Sequence, residues 1–118
     1  MGEAEIAAVV DRLIAEGGLD DARFAHRYAE DKRELAGWGP DRIRGSLLQR
    51  GVALEHVEAA LEGEDQLAQI ERATTLLTAR GEPPTDDAER ASAFAFLARR
   101  GFDSDVAYEA VRRHRRAA

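Results

Sequence analysis

A helical period punctuated by glycines constrains this chain more than any other feature. Ile6, Val9, Val10, Leu13 and Ile14 fall at i, i+3, i+4, i+7 and i+8, which is one stripe of a helix, and Gly17-Gly18 follow at once. The same pattern recurs downstream. Ile43, Leu47 and Leu48 lead to Gly51; Leu54, Val57, Ala60 and Leu61 to Gly63; Leu67, Ile70, Thr74 and Leu77 to Gly81; Phe94, Leu97 and Ala98 to Gly101. Glycine takes the left-handed geometry of a helix C-terminus at little cost, so each is a natural stop. No stretch alternates apolar and polar residues among β-branched or aromatic types, which removes the strand reading.

The starts are as readable as the stops. Asp20 and Asp21 are placed to restart a helix after Gly17-Gly18, since a carboxylate satisfies free amides at the positive end of the helix dipole. That second helix is expected to turn Phe24, Tyr28 and Leu35 inward and Arg23, Arg27, Glu30 and Glu34 outward. Gly37-Trp38-Gly39-Pro40 breaks it, and Pro40 suits the first turn of the next. Glu82-Pro83-Pro84 makes a stiff loop, because a residue before proline is pushed out of the helical region. Thr85 or Asp86 then caps a helix, and Asp103 or Ser104 opens a last one carrying Ala107, Ala110 and Val111. The expected fold is all-α, with seven helical segments joined by short loops.

An internal repeat organises these segments. Leu47-x-x-x-Gly51 recurs as Leu97-x-x-x-Gly101, with a basic residue before each glycine (Arg50, Arg100) and an apolar one after it (Val52, Phe102). Gly37–Gly51 matches Gly81–Gly101 only if six residues are inserted near Pro83. Residues 20–63 and 64–118 therefore read as two copies of a three-helix unit, and residues 1–19 as the last helix of an incomplete earlier copy. A unit of about 45 residues is near the lower limit for folding alone, so neighbours must cover its open faces. An elongated or curved tandem array is expected, with the stripe from Ile6 to Ile14 packed on the second unit.

Composition excludes several functions. Cysteine is absent, which removes disulfides and thiolate metal sites. The longest apolar runs, such as Ile6 to Val10, are too short to span a bilayer, and the start MGEAE is unlike a secretory signal, so a cytoplasmic setting is expected. The net charge of −6 opposes a protein living on non-specific DNA affinity. The charge is uneven, however: Arg99, Arg100, Arg112, Arg113, Arg115 and Arg116 outnumber Asp103, Asp105 and Glu109 over the same stretch. His26, His56 and His114 are far apart with no partner at metal-ligand spacing, Ser46, Ser92 and Ser104 lack a nucleophile motif, and the glycines form no phosphate-binding loop. Nothing here reads as an enzyme, and no cofactor is expected.

Two strings are familiar in their order and spacing. Gly18-Leu19-Asp20-Asp21-Ala22-Arg23-Phe24-Ala25 with Tyr28, then Gly37-Trp38-Gly39-Pro40-Asp41-Arg42-Ile43-Arg44 with Leu47 and Arg50-Gly51, resemble the second repeat of the RecX family. Phe96-Leu97-Ala98-Arg99-Arg100-Gly101-Phe102 resembles the third repeat more loosely. The resemblance runs over nearly the whole chain and lacks most of the first repeat. It implies tandem three-helix repeats and a partner, the RecA recombinase. RecX proteins lodge in the groove of the RecA–DNA filament and limit its growth, ATP hydrolysis and strand exchange, in recombination and DNA repair. A monomer with weak or indirect nucleic-acid contact is the expected state.

The candidate partner-binding residues are Arg23, Arg27, Trp38, Arg42, Arg44, Arg50, Arg99, Arg100, Arg112 and Arg113. Arg42 and Arg50 project from one helix about two turns apart, with Arg44 beside Trp38; arginine and aromatics dominate binding hot spots. Each has a plainer role open to it: a solvated face, a loop covered by Trp38, or cations at the C-terminus of the last helix. Lys32 and Arg33 are expected to form ordinary surface pairs with Glu30, Asp31 and Glu34. A helix-turn-helix DNA-binding regulator is the rival reading, since short helices and glycine turns suit that class too. A helical scaffold with another protein partner is the third.

Overall fold

The computed structural model describes residues 2–116, with all of their side chains except those of residue 10 and residues 13–16. Six helices follow in chain order: α1 (Glu3–Leu35), α2 (Pro40–Gln49), α3 (Leu54–Leu61), α4 (Gln66–Arg80), α5 (Asp87–Arg99) and α6 (Ser104–Arg116). No strand occurs among the described residues. The all-α, extended array expected from periodicity is what forms: the molecule measures 73 × 20 × 19 Å, and its radius of gyration is 19.4 Å. A compact chain of this length would have roughly 13 Å.

The seven expected segments occupy six elements because the first two run together as α1. Gly17 and Gly18 lie inside this helix, and Asp20 and Asp21 cap nothing. Glycine weakens a helix interior by about 1 kcal/mol without forbidding it. A left-handed glycine stop is favoured by a competing set of bonds and a buried apolar residue after the glycine. Leu19, which follows here, is exposed, so nothing rewards a break.

Gly51 and Gly101 behave differently. Both have positive φ (+88° and +98°). In each, the residue after the glycine donates to the carbonyl at the start of the last turn, Val52 to Leu47 and Phe102 to Leu97, both at 3.1 Å. Val52 and Phe102 are buried. That is the full Schellman closure with its apolar contact, present twice.

Two apolar clusters form. One joins Ala25 and Ala29 of α1, Ile43 and Leu47 of α2, Val52, and Val57, Ala60 and Leu61 of α3. The other joins Ile70, Ala73 and Leu77 of α4, Ala93 and Leu97 of α5, Phe102, and Val106, Ala107, Ala110 and Val111 of α6. In each set of three helices the first packs on the third, α1 on α3 and α4 on α6. Asp86 accepts from the Glu89 amide, Asp103 from Val106 and Asp65 from Ala68, all at 2.8–2.9 Å. The first two caps were expected; the third was not.

Several inward assignments need correction. Phe24 and Leu35 are exposed, and α1 is buried instead through Ala25 and Ala29, which let α3 approach closely. Leu48, Leu54 and Leu67 are also exposed. Ile6 and Val9 are 49% and 45% exposed, so these two do not pack on the second unit. Val10, Leu13 and Ile14, the rest of that stripe, lie outside the described side chains.

The two clusters are joined by main chain. Gly39 N–H donates to the Arg100 carbonyl at 2.6 Å, and Asp41 N–H to the Gly101 carbonyl at 2.9 Å. A Cβ on Gly39 would lie 2.5 Å from the Gly101 carbonyl carbon and oxygen, and one on Gly101 would lie 2.4 Å from Arg42 Cβ. Only glycine fits on either side of this joint. Beside it, Glu64 takes a two-pronged pair from Arg72 (2.6 and 2.9 Å). Arg33 Nε stands 3.8 Å from the same carboxylate, and its terminal nitrogen donates to the Ala60 carbonyl at 2.8 Å. Arg33 is thus a part-buried tie between α1 and the α3–α4 turn, not the surface pair its neighbours suggested.

Candidate interaction surface

The joint carries a surface where cations lie on aromatic rings. Arg42 and Ser46 of α2 and Arg50 at its C-cap are four residues apart and so share one face. Tyr28 and Lys32 share a face of α1 for the same reason. Between them the loop after α1 supplies Trp38. The three sets interlock: the Arg42 guanidinium sits 4.2 Å from the Trp38 ring, Arg50 5.0 Å from the Tyr28 ring, and Lys32 Nζ 4.7 Å from Trp38 and 5.3 Å from Tyr28. Phe24, Tyr28 and Trp38 form an aromatic row, with centroids 5.7 and 6.5 Å apart. Each cation–ring contact is worth about 0.5–1 kcal/mol at an exposed site, so several together hold the side chains in place while leaving their outer edges in water.

Tyr28 is tuned by this setting. Burial alone would push its hydroxyl up; the Ser46 hydrogen bond at 2.5 Å and the charges of Arg50 and Lys32 outweigh that, and hold it below the usual tyrosine value. Across the joint, α5 contributes Phe96 with Arg100 at 4.9 Å and Arg80 of α4 at 5.1 Å from its ring. Trp38, Arg42, Phe96, Arg99 and Arg100 line one shallow groove over the joint.

The structure sorts the ten expected residues. Trp38, Arg42, Arg99 and Arg100 come together at this groove, and Arg50 adjoins it through Tyr28. Among the described residues, Arg42, Arg50, Arg99 and Lys32 have no acidic partner within 4 Å, so their charge is free for something else. Arg100 has structural work: it donates to the Ala36 carbonyl at 2.8 Å and helps close the joint. Arg44 is held by Glu58 of α3 at 2.7 Å and Asp41 at 2.8 Å, which raises its pKa and lowers that of Glu58. Arg23 and Arg27 open onto a different groove with His26, Glu30 and His56, and Arg23 reaches Asp20 at 3.9 Å. Arg112 and Arg113 both turn to Glu109, at 3.4 and 3.2 Å.

Sequence reasoning missed Lys32, Tyr28 and Phe96 as parts of this surface. A cation four residues after a tyrosine, next to a tryptophan loop, was the available signal. Among the described residues no group of His, Asp or Glu is arranged to hold a metal, and no helix is long and apolar enough to cross a membrane.

Comparison with known proteins bears on this arrangement. Residues 20–61, which hold the first cluster and the aromatic row, match the family model described as RecX, second three-helix domain. The curated Regulatory protein RecX of Leptothrix cholodnii is 40% identical over 110 residues, covering 92% of this chain and 68% of that protein. The chain belongs to the RecX family. The RecX proteins of Chromobacterium violaceum and Mycolicibacterium vanbaalenii are 36% and 35% identical, over 88% and 89% of this chain. This chain spans 66% and 62% of the lengths of those two RecX relatives. No solved structure matches it significantly. As their names state, the RecX relatives are regulatory proteins.

Proposed function

We propose that this chain is a cytoplasmic regulator that binds the RecA recombinase and its DNA filament, restraining ATP hydrolysis and strand exchange in recombination and DNA repair. Membership in the RecX family supports the partner. The cation–aromatic surface over the joint is the observation that supports the site of contact. Trp38, Arg42, Arg50 and Arg99 lead it, with Lys32 added. Their rings are wide and their cations unclaimed, which suits a partner carrying carboxylates or phosphates. Arg44, Arg100 and Arg113 are positioning residues, because their guanidinium groups already serve the chain. On this reading residues 20–63 and 64–118 are two copies of one three-helix repeat, and the surface straddles them, so a partner would sense the angle between the repeats.

The test compares the chain with an Arg42→Ala, Arg50→Ala, Arg99→Ala triple variant in RecA's DNA-dependent ATPase and strand-exchange assays, next to binding of bare single- and double-stranded DNA. Inhibition by the parent well below the concentration that binds bare DNA, lost at least about tenfold in the variant, is expected. Equal inhibition by both would remove the surface from the reading. Tight duplex binding with no effect on RecA would replace the reading with a DNA-binding regulator.

A further inference from the structure

The stiff Pro83-Pro84 loop and the last turn of α6 enclose a pocket that the joint surface does not use. Its floor is buried, made of Leu77 of α4, Pro84, Ala93 of α5 and His114 of α6. His114 is only 5% exposed, and among the described residues it is the one polar side chain so deeply buried. Its hydrogen bonding is half made. Nδ1 lies 3.5 Å from the Thr78 hydroxyl, and that hydroxyl commits its proton to the Thr74 carbonyl at 3.1 Å. The Thr78 oxygen can therefore only accept, so Nδ1 carries the ring proton and Nε2 is left with a lone pair. Among the described residues nothing donates to that nitrogen.

The rim of the pocket makes the same demand. Glu89 Oε2 takes the Thr85 amide at 2.8 Å and the Thr85 hydroxyl at 3.1 Å, which leaves Oε1 open. Glu82 also lines the pocket, and among the described residues it has no basic partner within 4 Å. Arg80, on the same rim, is turned to Ser92 Oγ at 2.8 Å and to the Phe96 ring at 5.1 Å. Glu82, Asp86, Asp87 and Glu89 stand along residues 82–89 with no base among them, so the field at the mouth attracts cations.

An anion would meet two carboxylates and a lone pair. A bare metal ion does not fit either, since among the described residues no three His, Asp or Glu groups are gathered to hold one. Acceptors set apart in this way suit a flat cation with several N–H donors, and the aliphatic floor suits a stem of methylenes. The geometry points to the guanidinium of a partner protein's arginine as the occupant. Its N–H groups would meet His114 Nε2, Glu89 Oε1 and Glu82, with its methylenes on Leu77, Pro84 and Ala93. Arg80 beside the mouth opposes a second positive charge, so a single-headed side chain fits better than a free diamine. None of these residues belongs to the surface assigned to RecA, so the inference does not rest on that reading.

Nuclear magnetic resonance of the full chain, isotope-labelled in nitrogen, tests this. The free chain should show His114 with its proton on Nδ1. Adding Nα-acetyl-arginine methylamide should shift the His114 Nε2 resonance saturably, and leave those of His26 and His56 in place. The citrulline analogue has the same shape without the charge, and should bind at least roughly tenfold more weakly. A Glu82→Gln, Glu89→Gln double variant should lose at least roughly tenfold for the arginine probe. Both positions are exposed, glutamine can still cap Thr85, and an unchanged His114 tautomer confirms that the pocket stays folded. A proton on Nε2 in the free chain overturns the proposal. So does an absent or unsaturable shift, citrulline binding as well as arginine, or a double variant that binds like the parent. Tighter binding of agmatine, whose second cation replaces the peptide end, would assign the site to a free amine and overturn the protein partner.

Discussion

Adding one methyl group at Gly101 tests the joint between the two halves most directly. The new Cβ would stand 2.4 Å from Arg42 Cβ and 2.5 Å from the Arg42 nitrogen, with φ at +98°. Two costs follow, and they are separable. A side chain in the left-handed region costs about 1–2 kcal/mol. Forcing the main chains apart forfeits the Gly39–Arg100 and Asp41–Gly101 hydrogen bonds, each worth about 0.5–1.5 kcal/mol net. Gly101→Ala should therefore cost about 2–5 kcal/mol. Two controls isolate the parts. Gly51→Ala meets the same left-handed strain (φ +88°) but open space, so it should cost about 1–2 kcal/mol. Gly39→Ala has ordinary φ (−81°) but would press on the Gly101 carbonyl, so it should cost about 1–3 kcal/mol through the joint alone. Urea denaturation measures the three losses, and small-angle scattering follows the radius of gyration from its 19.4 Å value. Gly101→Ala no worse than Gly51→Ala, with an unaltered scattering profile, would refute the close-contact explanation.

Three further outcomes are expected. Glu64→Ala should destabilise by about 3–5 kcal/mol in urea, because it strands the part-buried cations of Arg33 and Arg72; a loss below about 1 kcal/mol would mean that water already compensates them. Spectrophotometric titration of Tyr28 in a Tyr108→Phe background should give a pKa below the ordinary 10.0, and Ser46→Ala or Arg50→Ala should move it upward; no movement in either variant would deny their hold on the hydroxyl. Glu58 has its folded pKa lowered by Arg44, so its contribution is present above the usual carboxylate value and fades as pH falls through the folded pKa. Glu58→Gln should accordingly narrow its stability gap to the parent on acidification, by a few tenths of a kcal/mol for so exposed a pair, and a gap constant from pH 7 to pH 3 would contradict that.

What the sequence discloses depends on how local the cause is. Gly51 and Gly101 are legible because a helix stop needs only the glycine, the apolar residue after it and the turn before it. Asp86 and Asp103 are legible for the same reason, each capping an amide three residues on. Gly17-Gly18 looks like a stop by the same token, yet whether the helix breaks there depends on the burial of Leu19, which is a tertiary matter. Phe24 outweighs Ala25 on any scale of apolarity, but α3 needs a small residue to come close, so size wins over greasiness. The candidate surface is half legible. Its arginines stand out in the sequence, whereas their division into free and engaged depends on partners such as Glu58 and Ala36, 14 and 64 residues away. Glu64 could not be read at all, since the two cations it gathers, Arg33 and Arg72, come from separate helices, α1 and α4.

The contact between Gly39 and Gly101 gives the molecule an unusual kind of rigidity. Its geometry is written in peptide groups that every protein shares, so the tilt of one half against the other is insulated from drift in nearly all side chains. Charges on the outside can be exchanged, and rings enlarged or trimmed, while the spacing at which they are offered stays constant. A partner with a regular lattice would thus meet the same ruler in chains whose surfaces have little else in common.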